Sequence, residues 1–583
     1  MPRSPRCVRA AVVAALLALA TPAGAQFALR SRIEGTITDS GGAAVPGATV
    51  TLTETTRNQT QAIASDDQGA YAFSNLASGV YTVTAELSGF VTAVSPPATL
   101  GSAANARVDL VLKIGDLSET VQVTREAPLV QTDHIAVGVA VGKTLIDNIA
   151  SKGRNFTSFV QLAPGISTQP RNDTAGTNSV GAHHVIGGID YTAGGGGNNG
   201  FYVNGVNAND NYVGGQSYSP SLEAVEEIKV DVANFSAANG RDLSTLSVTT
   251  RAGTNRLHGS VYDYVESSTL NAWDPLEKQR VTPGTEKPSL NRHQFGGNGG
   301  GPIVKNKIFF FGNYEQTYNR RGEEPEFFRV PTAAERRGDF SGLLQRFPGD
   351  PNYVLHDPFT TAILEDGETV RAPVPNNDLR RLTRPNGSPA IDPRALDMLN
   401  LFPLPNYTDP TDPDNLANHQ SLGVSKFTSY RIDARVDLAL GANDNLYVNV
   451  ARSNGRDHDS GGLFPEITSN VEDASWMMSV SYARVFTPAL TNELVVAYGK
   501  GKLCVPDQQS VDYMHQTDTL RATYFQNLGS GADQGIYAMA LDGYYDFGPF
   551  EAFCASNPSL QISSNMNWVK GAHSVKAGFN FFR

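Results

Sequence analysis

The stretch from Thr428 to Arg452 limits most strongly what this chain can fold into, because polar and apolar residues alternate along it. Successive side chains of a strand point to opposite faces, so each arm of the stretch predicts a strand with one apolar and one polar face. Residues 441–444 (Gly-Ala-Asn-Asp) separate the arms with turn-forming residues. The first arm is apolar at Tyr430, Ile432, Ala434, Val436, Leu438 and Leu440, and polar at Ser429, Arg431, Asp433, Arg435 and Asp437.

The length and charge of the first arm, residues 428–440, indicate where such a strand lies. The arm exceeds the ~5–6 residues usual for strands of soluble proteins and the ~9–11 residues needed to cross a bilayer. Two arginines and two aspartates on one face predict that this face is wet. A strand of a soluble sandwich can alternate in the same way. A long strand with lipid on one side and water on the other is typical of an outer-membrane β-barrel.

The N-terminus predicts export from the cytoplasm. Arginines among the first nine residues precede an apolar run at residues 10–20, and residues 23–25 (Ala-Gly-Ala) match a cleavage site. Residues 1–25 are therefore a predicted signal peptide, and the mature chain is expected to start at Gln26. No later stretch approaches ~18 consecutive apolar residues. An exported chain of this kind can enter a membrane only as a closed barrel.

Charge and motif content argue against several classes of function. The net charge is −12 and the isoelectric point is near 5.4, so no basic patch is available to neutralise phosphates and we expect no nucleic-acid partner. The chain has no His-Glu-x-x-His sequence, and no Gly-Lys-Ser/Thr follows the glycine-rich residues 194–200. We therefore predict no catalytic, metal-binding or cofactor-binding residues, and no enzyme activity.

Three cysteines bear on the covalent structure. Cys7 lies in the predicted signal peptide, whereas Cys504 and Cys554 would remain in a compartment that permits disulfides. Both lie in or beside a long segment without alternation, residues 503–559. We predict a loop disulfide between Cys504 and Cys554, with two unpaired thiols as the alternative.

Residues 26–113 predict a small β-sandwich, because seven short β-prone segments follow one another with turn residues between them. The segments 45–50, 67–73, 76–83 and 89–90 resemble the carboxypeptidase regulatory-like domain. This resemblance implies a transthyretin-like sandwich, which is also grouped with carbohydrate-binding-like folds, and it does not imply peptidase activity. Three aromatic residues of these segments are predicted core residues, with a sugar-binding platform as the alternative: Tyr71, Phe73 and Tyr81.

Residues 114–125 form a predicted hinge with a candidate partner-binding segment. Its central residues resemble a TonB box, the extended segment by which an energised periplasmic protein grips an outer-membrane transporter. The six candidate contact residues are Glu119, Thr120, Val121, Gln122, Val123 and Thr124. Such a segment can add to the edge of a partner's sheet through main-chain hydrogen bonds. A short strand with no partner would show the same pattern.

Residues 126–250 resemble the plug domain of TonB-dependent receptors, particularly the Oar-like group. The resemblance is carried by an ordered set of segments: residues 153–157, 160–165, 201–206 and 221–230. It implies an α+β domain that fills the interior of a barrel.

Residues 251–583 are predicted to form part of a transmembrane antiparallel β-barrel. The segments 254–264, 294–303 and 307–315 resemble the Oar-like barrel, and alternating hairpins follow at 428–453, 476–502 and 560–582. Residues 320–427 show no convincing strand pair and are predicted to be a large external loop. Nine strands result, whereas plugged transporters have about 22. We therefore expect an incomplete barrel, the N-terminal fragment of a longer transporter.

The predicted fold class is thus mainly β: a transthyretin-like sandwich, an α+β plug and part of a barrel. The resemblance implies an outer-membrane receptor that imports an extracellular ligand with energy from TonB, with the sandwich in the periplasm. Expected partners are TonB, outer-membrane lipid and an unknown ligand; siderophores, glycans, oligosaccharides and peptides all fit. The alternative is an exported surface or adhesion protein in which the barrel only anchors extracellular loops.

Overall fold

Most of the secondary structure in the computed structural model is β-strand, in three successive units along the chain. The predicted signal peptide, residues 1–25, lies outside the residues that the structure describes. No helix among the described residues has the length and apolar character needed to cross a bilayer. The described residues are 31–101, 104–115, 120–122, 137–149, 154, 156–163, 166–170, 189–193, 199–209, 218–232, 242, 244–273, 287–322, 325–400, 402–408, 416–441, 443–459, 463, 469–487, 490–505, 544, 553–570 and 573–583.

The first unit is a β-sandwich whose main strands lie in the order β3–β2–β5–β6–β9–β1–β4. Three short strands join this path, since β7 pairs with β5, β8 with β1 and β10 with β6. Tyr71, Phe73 and Tyr81 are buried in its core, as predicted. The strands are β1 (Ser31–Asp39), β2 (Thr49–Glu54), β3 (Gln59–Ala64), β4 (Ala70–Leu76), β5 (Gly79–Glu86), β6 (Phe90–Val94), β7 (Ala98–Leu100), β8 (Asn105–Arg107), β9 (Leu110–Ile114) and β10 (Thr120–Gln122).

The second unit is a mixed five-stranded sheet with the order β11–β16–β17–β14–β15 and a separate pair, β12 and β13. Asn204 and Gly205 make the tight turn between β14 and β15 with positive φ angles, 51° and 79°, which explains the Asn-Gly sequence there. Its elements are β11 (Val137–Gly142), helix α1 (Lys143–Asn148), a 3-10 helix (Phe156–Leu162), β12 (Ile166–Pro170), β13 (Ile189–Ala193), β14 (Asn199–Val203), β15 (Val206–Asn207), a 3-10 helix (Leu222–Ala224), β16 (Val225–Val232) and β17 (Ser244–Thr250).

The third unit is a nine-stranded antiparallel sheet in which every strand pairs with its neighbours in chain order. Among the described residues its first and last strands do not pair with each other. Short turns join the strands at one end of the sheet and long segments join them at the other. The strands are β18 (His258–Ser267), β19 (Leu290–Val304), β20 (Ile308–Gly322), β25 (Val424–Ala439), β26 (Asp444–Asp459), β27 (Ser469–Thr487), β28 (Leu490–Val505), β29 (Phe553–Lys570) and β30 (His573–Phe582).

The segment between β20 and β25 has local structure of its own. Two short antiparallel pairs lie in it, β21 (Glu326–Phe328) with β24 (His419–Ser421) and β22 (Ala362–Ile363) with β23 (Thr369–Val370). The expectation of no strand pair at residues 320–427 is therefore wrong, because strands of two or three residues are too short to show alternation. The segment also holds helices α2 (Ser341–Arg346) and α3 (Pro393–Leu399).

The outer face of the nine-stranded sheet is apolar and its inner face is polar, the reverse of the arrangement in a soluble protein. Large apolar side chains are exposed on its outer face: Val261, Phe295, Tyr318, Ile432, Trp476, Tyr498, Trp568 and Phe581. Polar side chains are buried on its inner face, among them Gln294, Glu315, Arg431, Asp433 and Ser475. An outer apolar face with a polar interior is the arrangement that a bilayer stabilises.

Candidate functional site

The charged face of β25 lies against the second unit rather than against open water. Arg431 and Asp433 are each only 5% exposed, whereas Ile432 between them is 39% exposed. The prediction that this face is wet is wrong, because the second unit fills the space inside the sheet and covers it. Buried charges are tolerated only when they are paired and hydrogen-bonded. The contacts of this face therefore define how the two units are held together.

Asp433 is the centre of a buried polar cluster between the two units. The hydroxyl of Tyr218, from the second unit, donates a hydrogen bond to Asp433 Oδ1. On the sheet, Asn313 Nδ2 lies 3.2 Å from Asp433 Oδ2 and donates to Ser221 Oγ of the second unit at 2.7 Å. Burial, followed by the nearby charge of Asp433, raises the pKa of the Tyr218 hydroxyl well above its usual range. Tyr218 therefore stays protonated and acts as a donor.

Two ion pairs lie on the inner wall beside this cluster. Arg431 Nη1 is 3.2 Å from Glu315 Oε1, and Glu315 Oε2 accepts a hydrogen bond of 3.2 Å from the Tyr262 hydroxyl. Arg435 and Asp437 form a bidentate pair with distances of 2.8 and 2.9 Å. Arg435 Nη1 also reaches the carbonyl of Thr250, at the end of β17, at 3.4 Å. These four side chains thus compensate one another in charge, and Arg435 also bonds the second unit.

A third group of charges ties the second unit to the first strand of the sheet. Arg154 Nη2 lies 2.6 Å from Glu223 Oε1, and the same carboxylate oxygen accepts a 3.2 Å hydrogen bond from the Tyr264 hydroxyl. The Arg154 guanidinium also stacks on the Tyr264 ring, 3.6 Å from its centroid. An arginine that pairs with a carboxylate and stacks on an aromatic ring uses both features of its planar head group.

An apolar seam completes the interface. The core cluster of the second unit continues into the wall through Ala451, Met477, Val495 and Ala497, on strands β26, β27 and β28. A remaining gap, lined by Val206, Tyr218 and Gln561 among others, has a volume of about 10 Å³. This is roughly the space that one water molecule needs. In the described residues the second unit therefore closes this part of the interior.

The six candidate TonB-box residues are only partly described. Thr120–Gln122 form β10, which runs parallel to β6 with Thr120 opposite Thr92 and Gln122 opposite Val94. Glu119, Val123 and Thr124 lie outside the described residues. The strand β9 covers only Phe90 and Val91 of the same edge. The candidate segment therefore extends the sheet along the part of β6 that β9 leaves open.

The structure joins Cys504 Sγ to Cys554 Sγ in a disulfide. The two residues are not in a loop, as the sequence suggested, but stand opposite each other on β28 and β29. The strands reach farther than alternation indicated, ending at Val505 and starting at Phe553. The bond therefore joins the two strand ends at the base of the segment that connects them.

The sequence did not point to several residues of this interface. Tyr218, Ser221 and Glu223 stand in segments without alternation, and their partners are distant in sequence, so no local signal marks them. Asn313 and Glu315 alternate with apolar residues of β20, which is a usable signal for an inward polar face. In the part of the chain that the structure covers, no group of three or more His, Cys, Asp or Glu residues could hold a metal ion.

A sheet with an exposed apolar outer face and a polar inner face that packs around a second unit is the arrangement of a plugged outer-membrane barrel. The family described as outer membrane beta barrel domain matches residues 249–583, more than half of the chain, so the chain belongs to this family. The carboxypeptidase regulatory-like domain matches residues 32–113, as predicted. Family membership and the exposed apolar face together place the chain in the outer membrane.

Similar proteins include TonB-dependent transporters and receptors. The TonB-dependent transporter Oar of Myxococcus xanthus is 29% identical over 308 residues, which are 51% of this chain and 27% of that protein. The chain thus spans about a quarter of the length of this relative. The siderophore receptor PirA from Acinetobacter baumannii is 12% identical (76% of this chain, 48% of that chain, TM-score 0.39). The outer membrane transporter YddB from Escherichia coli is 8% identical (76% and 48%, TM-score 0.42). The predicted resemblance to Oar-like TonB-dependent transporters is confirmed.

We refer below to residues 26–113 as the sandwich, 126–250 as the plug and 251–583 as the barrel.

Proposed function

We propose that this chain acts in an outer-membrane transporter that binds an extracellular ligand and imports it past the plug with energy from TonB. The observation that carries the proposal is the polar plug–wall interface around Asp433, Glu315 and Glu223. Polar contacts can be exchanged for contacts with water at a small net cost, whereas an unpaired buried charge is expensive. Such an interface suits a plug that moves and pairs again. We propose no catalytic role for it.

The periplasmic end of the proposed cycle is the segment Glu119–Thr124. Pairing of Thr120–Gln122 with β6 supports an extended conformation that can add to a sheet edge, the mode by which TonB would grip it. We propose that the sandwich lies in the periplasm, that residues 1–25 direct export, and that the 26–113, 114–125, 126–250 and 251–583 boundaries separate working units. The ligand class stays open among siderophores, glycans, oligosaccharides and peptides.

Proline substitutions in the candidate box test the proposal. Neighbouring residues of a strand direct their N–H groups to opposite edges, so Val121→Pro and Gln122→Pro each remove a donor from a different edge. At least one should weaken binding of the purified periplasmic domain of the organism's own TonB, measured by interferometry on the detergent-solubilised chain. Val121→Ala and Gln122→Ala keep the N–H groups and should bind like wild type. Equal binding by all five proteins, or no binding at all, would favour the surface-anchor alternative.

A further inference from the structure

The turn between β2 and β3 of the sandwich has a fixed shape. Glu54, only 6% exposed, accepts hydrogen bonds from Thr56 N at 3.3 Å, Thr56 Oγ1 at 2.8 Å and Arg57 N at 2.7 Å. Asn58 completes the turn with a φ of 52°, a left-handed conformation that asparagine tolerates. The carboxylate of Glu54 thus fixes the backbone of the turn at Thr56 and Arg57.

The same turn reaches three separate parts of the neighbouring units. Arg57 Nε donates to the carbonyl of Gly253, in the segment that links plug and barrel, at 3.1 Å, and Asn255 N donates to the Thr56 carbonyl at 3.1 Å. Arg57 Nη1 lies 3.9 Å from Asp437 Oδ1 on the inner wall, and its guanidinium stands 5.7 Å from the centre of the Phe309 ring. One arginine therefore bonds the linker and also lies beside a carboxylate of β25 and an aromatic ring of β20.

These contacts lie at the end of the barrel where the strands are joined by short turns, the end that faces the periplasm in barrels of this kind. A cavity of about 320 Å³ separates the sandwich from the barrel beside the turn. Its walls carry Gln59 and Gln61 from the sandwich and Asn306, Lys307 and Asn445 from the barrel. The sandwich also contacts the plug. Gly101 of the sandwich packs so closely against Glu227 of the plug that a Cβ added to Gly101 would stand 2.7 Å from Glu227 Oε2. The sandwich thus covers plug and wall together.

We propose that the sandwich is a lid over the periplasmic mouth of the barrel, and that Arg57 is its latch. The contacts of Arg57 are charge-assisted and lie next to a polar cavity, so each can be replaced by water when the lid swings away. A solute that passes between plug and wall meets the sandwich before it reaches the periplasm. The lid therefore adds a second barrier in series with the plug. This inference goes beyond the proposed function and does not require a named ligand.

Access to the covered mouth tests the lid directly. Asn445→Cys places one reporter thiol in the cavity wall, since Cys504 and Cys554 are bonded to each other and Cys7 leaves with the predicted signal peptide or is replaced by serine. A maleimide attached to a polyethylene glycol chain, larger than the cavity, reacts only when the lid is open. Labelling of the purified full chain should be slow, and Arg57→Ala should speed it by about fivefold or more, because labelling follows the population of the open form.

Two further variants separate unlatching from damage to the sandwich. Asp437→Asn, on the barrel, weakens the same latch without touching the sandwich and should also speed labelling. Arg107→Ala is the matched control, because Arg107 pairs with Asp109 inside the sandwich and should leave the rate unchanged. Fast labelling of the Asn445→Cys chain with an intact latch, or equal rates with and without Arg57 and Asp437, would overturn the proposal. TonB binding does not enter this assay, so its outcome is independent of the proposed function.

Discussion

The hydrogen bond from Tyr218 to Asp433 gives the sharpest test of how the plug is held. Both side chains are buried, so Tyr218→Phe removes a donor from a carboxylate that keeps only Asn313 as a described partner from the wall. Hydrogen bonds to charged groups contribute ~1.5–3 kcal/mol, so we expect a loss of about 2 kcal/mol in the free energy of plug release. With a urea dependence of ~1–3 kcal/mol per molar, the midpoint falls by roughly 1 M.

Urea-induced plug release can be followed with a buried reporter. Ala208 is 1% exposed in the plug core, and Ala208→Cys is a small change whose reaction with a thiol reagent reports opening. Tyr218→Phe and Asp433→Asn, alone and together, form a double-mutant cycle that isolates the pair. Contacting residues couple by ~0.5–3 kcal/mol, whereas independent ones add within ~0.3–0.5 kcal/mol. Additive effects would refute the reasoning. Tyr482→Phe removes a similar bond to Asp444 within the barrel and should leave plug release unchanged.

Three further outcomes are expected. Burial disfavours the charged form of Asp109, but hydrogen bonds from Arg107 and Thr36 outweigh it and lower the pKa of this carboxyl. The stability that the charged form contributes is present above the unfolded pKa of ~3.9 and is lost as the pH falls through the folded value. The melting temperature of the sandwich should therefore fall less steeply with decreasing pH in Asp109→Asn than in wild type. Reducing the disulfide, which spans 50 residues, should lower the free energy of unfolding in urea by about 4 kcal/mol. The Cys504→Ser/Cys554→Ser chain should be insensitive to reductant. Equal stability of the oxidised and reduced wild-type chain would contradict this prediction. A synthetic peptide of residues 115–126 should bind TonB more tightly than the chain does, because the chain must first release β10 from β6. Tighter or equal binding by the chain would show that the pairing of β10 with β6 does not compete with TonB binding.

Alternation predicted the barrel strands well because lipid and interior impose opposite demands on neighbouring residues over many positions. The arm at residues 428–440 falls on a strand that begins earlier and ends one residue sooner, Val424–Ala439, and the described residues of this sheet form nine strands, as predicted. The sandwich has more strands than the seven predicted, because β7 and β8 have three residues each and leave no pattern.

What covers the inner face of β25 could not be read from its own residues. An alternating Arg-Asp face is the same in sequence whether water or another unit lies on it, and Tyr218 stands 215 positions from Asp433. The sequence predicts a loop at Cys504 and Cys554 for a related reason, since it does not alternate regularly at these ends of β28 and β29. Contacts between two packed units depend on how the units dock, and docking imposes no periodic pattern on the sequence.

The sign pattern of the inner wall has a consequence for permeation. Positive and negative groups alternate along it, with Arg431 and Arg435 beside Asp433 and Asp437 and with Glu315 opposite. These groups are two guanidinium groups and three carboxylates, so if the plug withdraws as proposed, this part of the passage would carry strong local dipoles and a small excess of negative charge. Such a lining would favour polar solutes that can replace these hydrogen bonds, and it would slightly favour cations over anions.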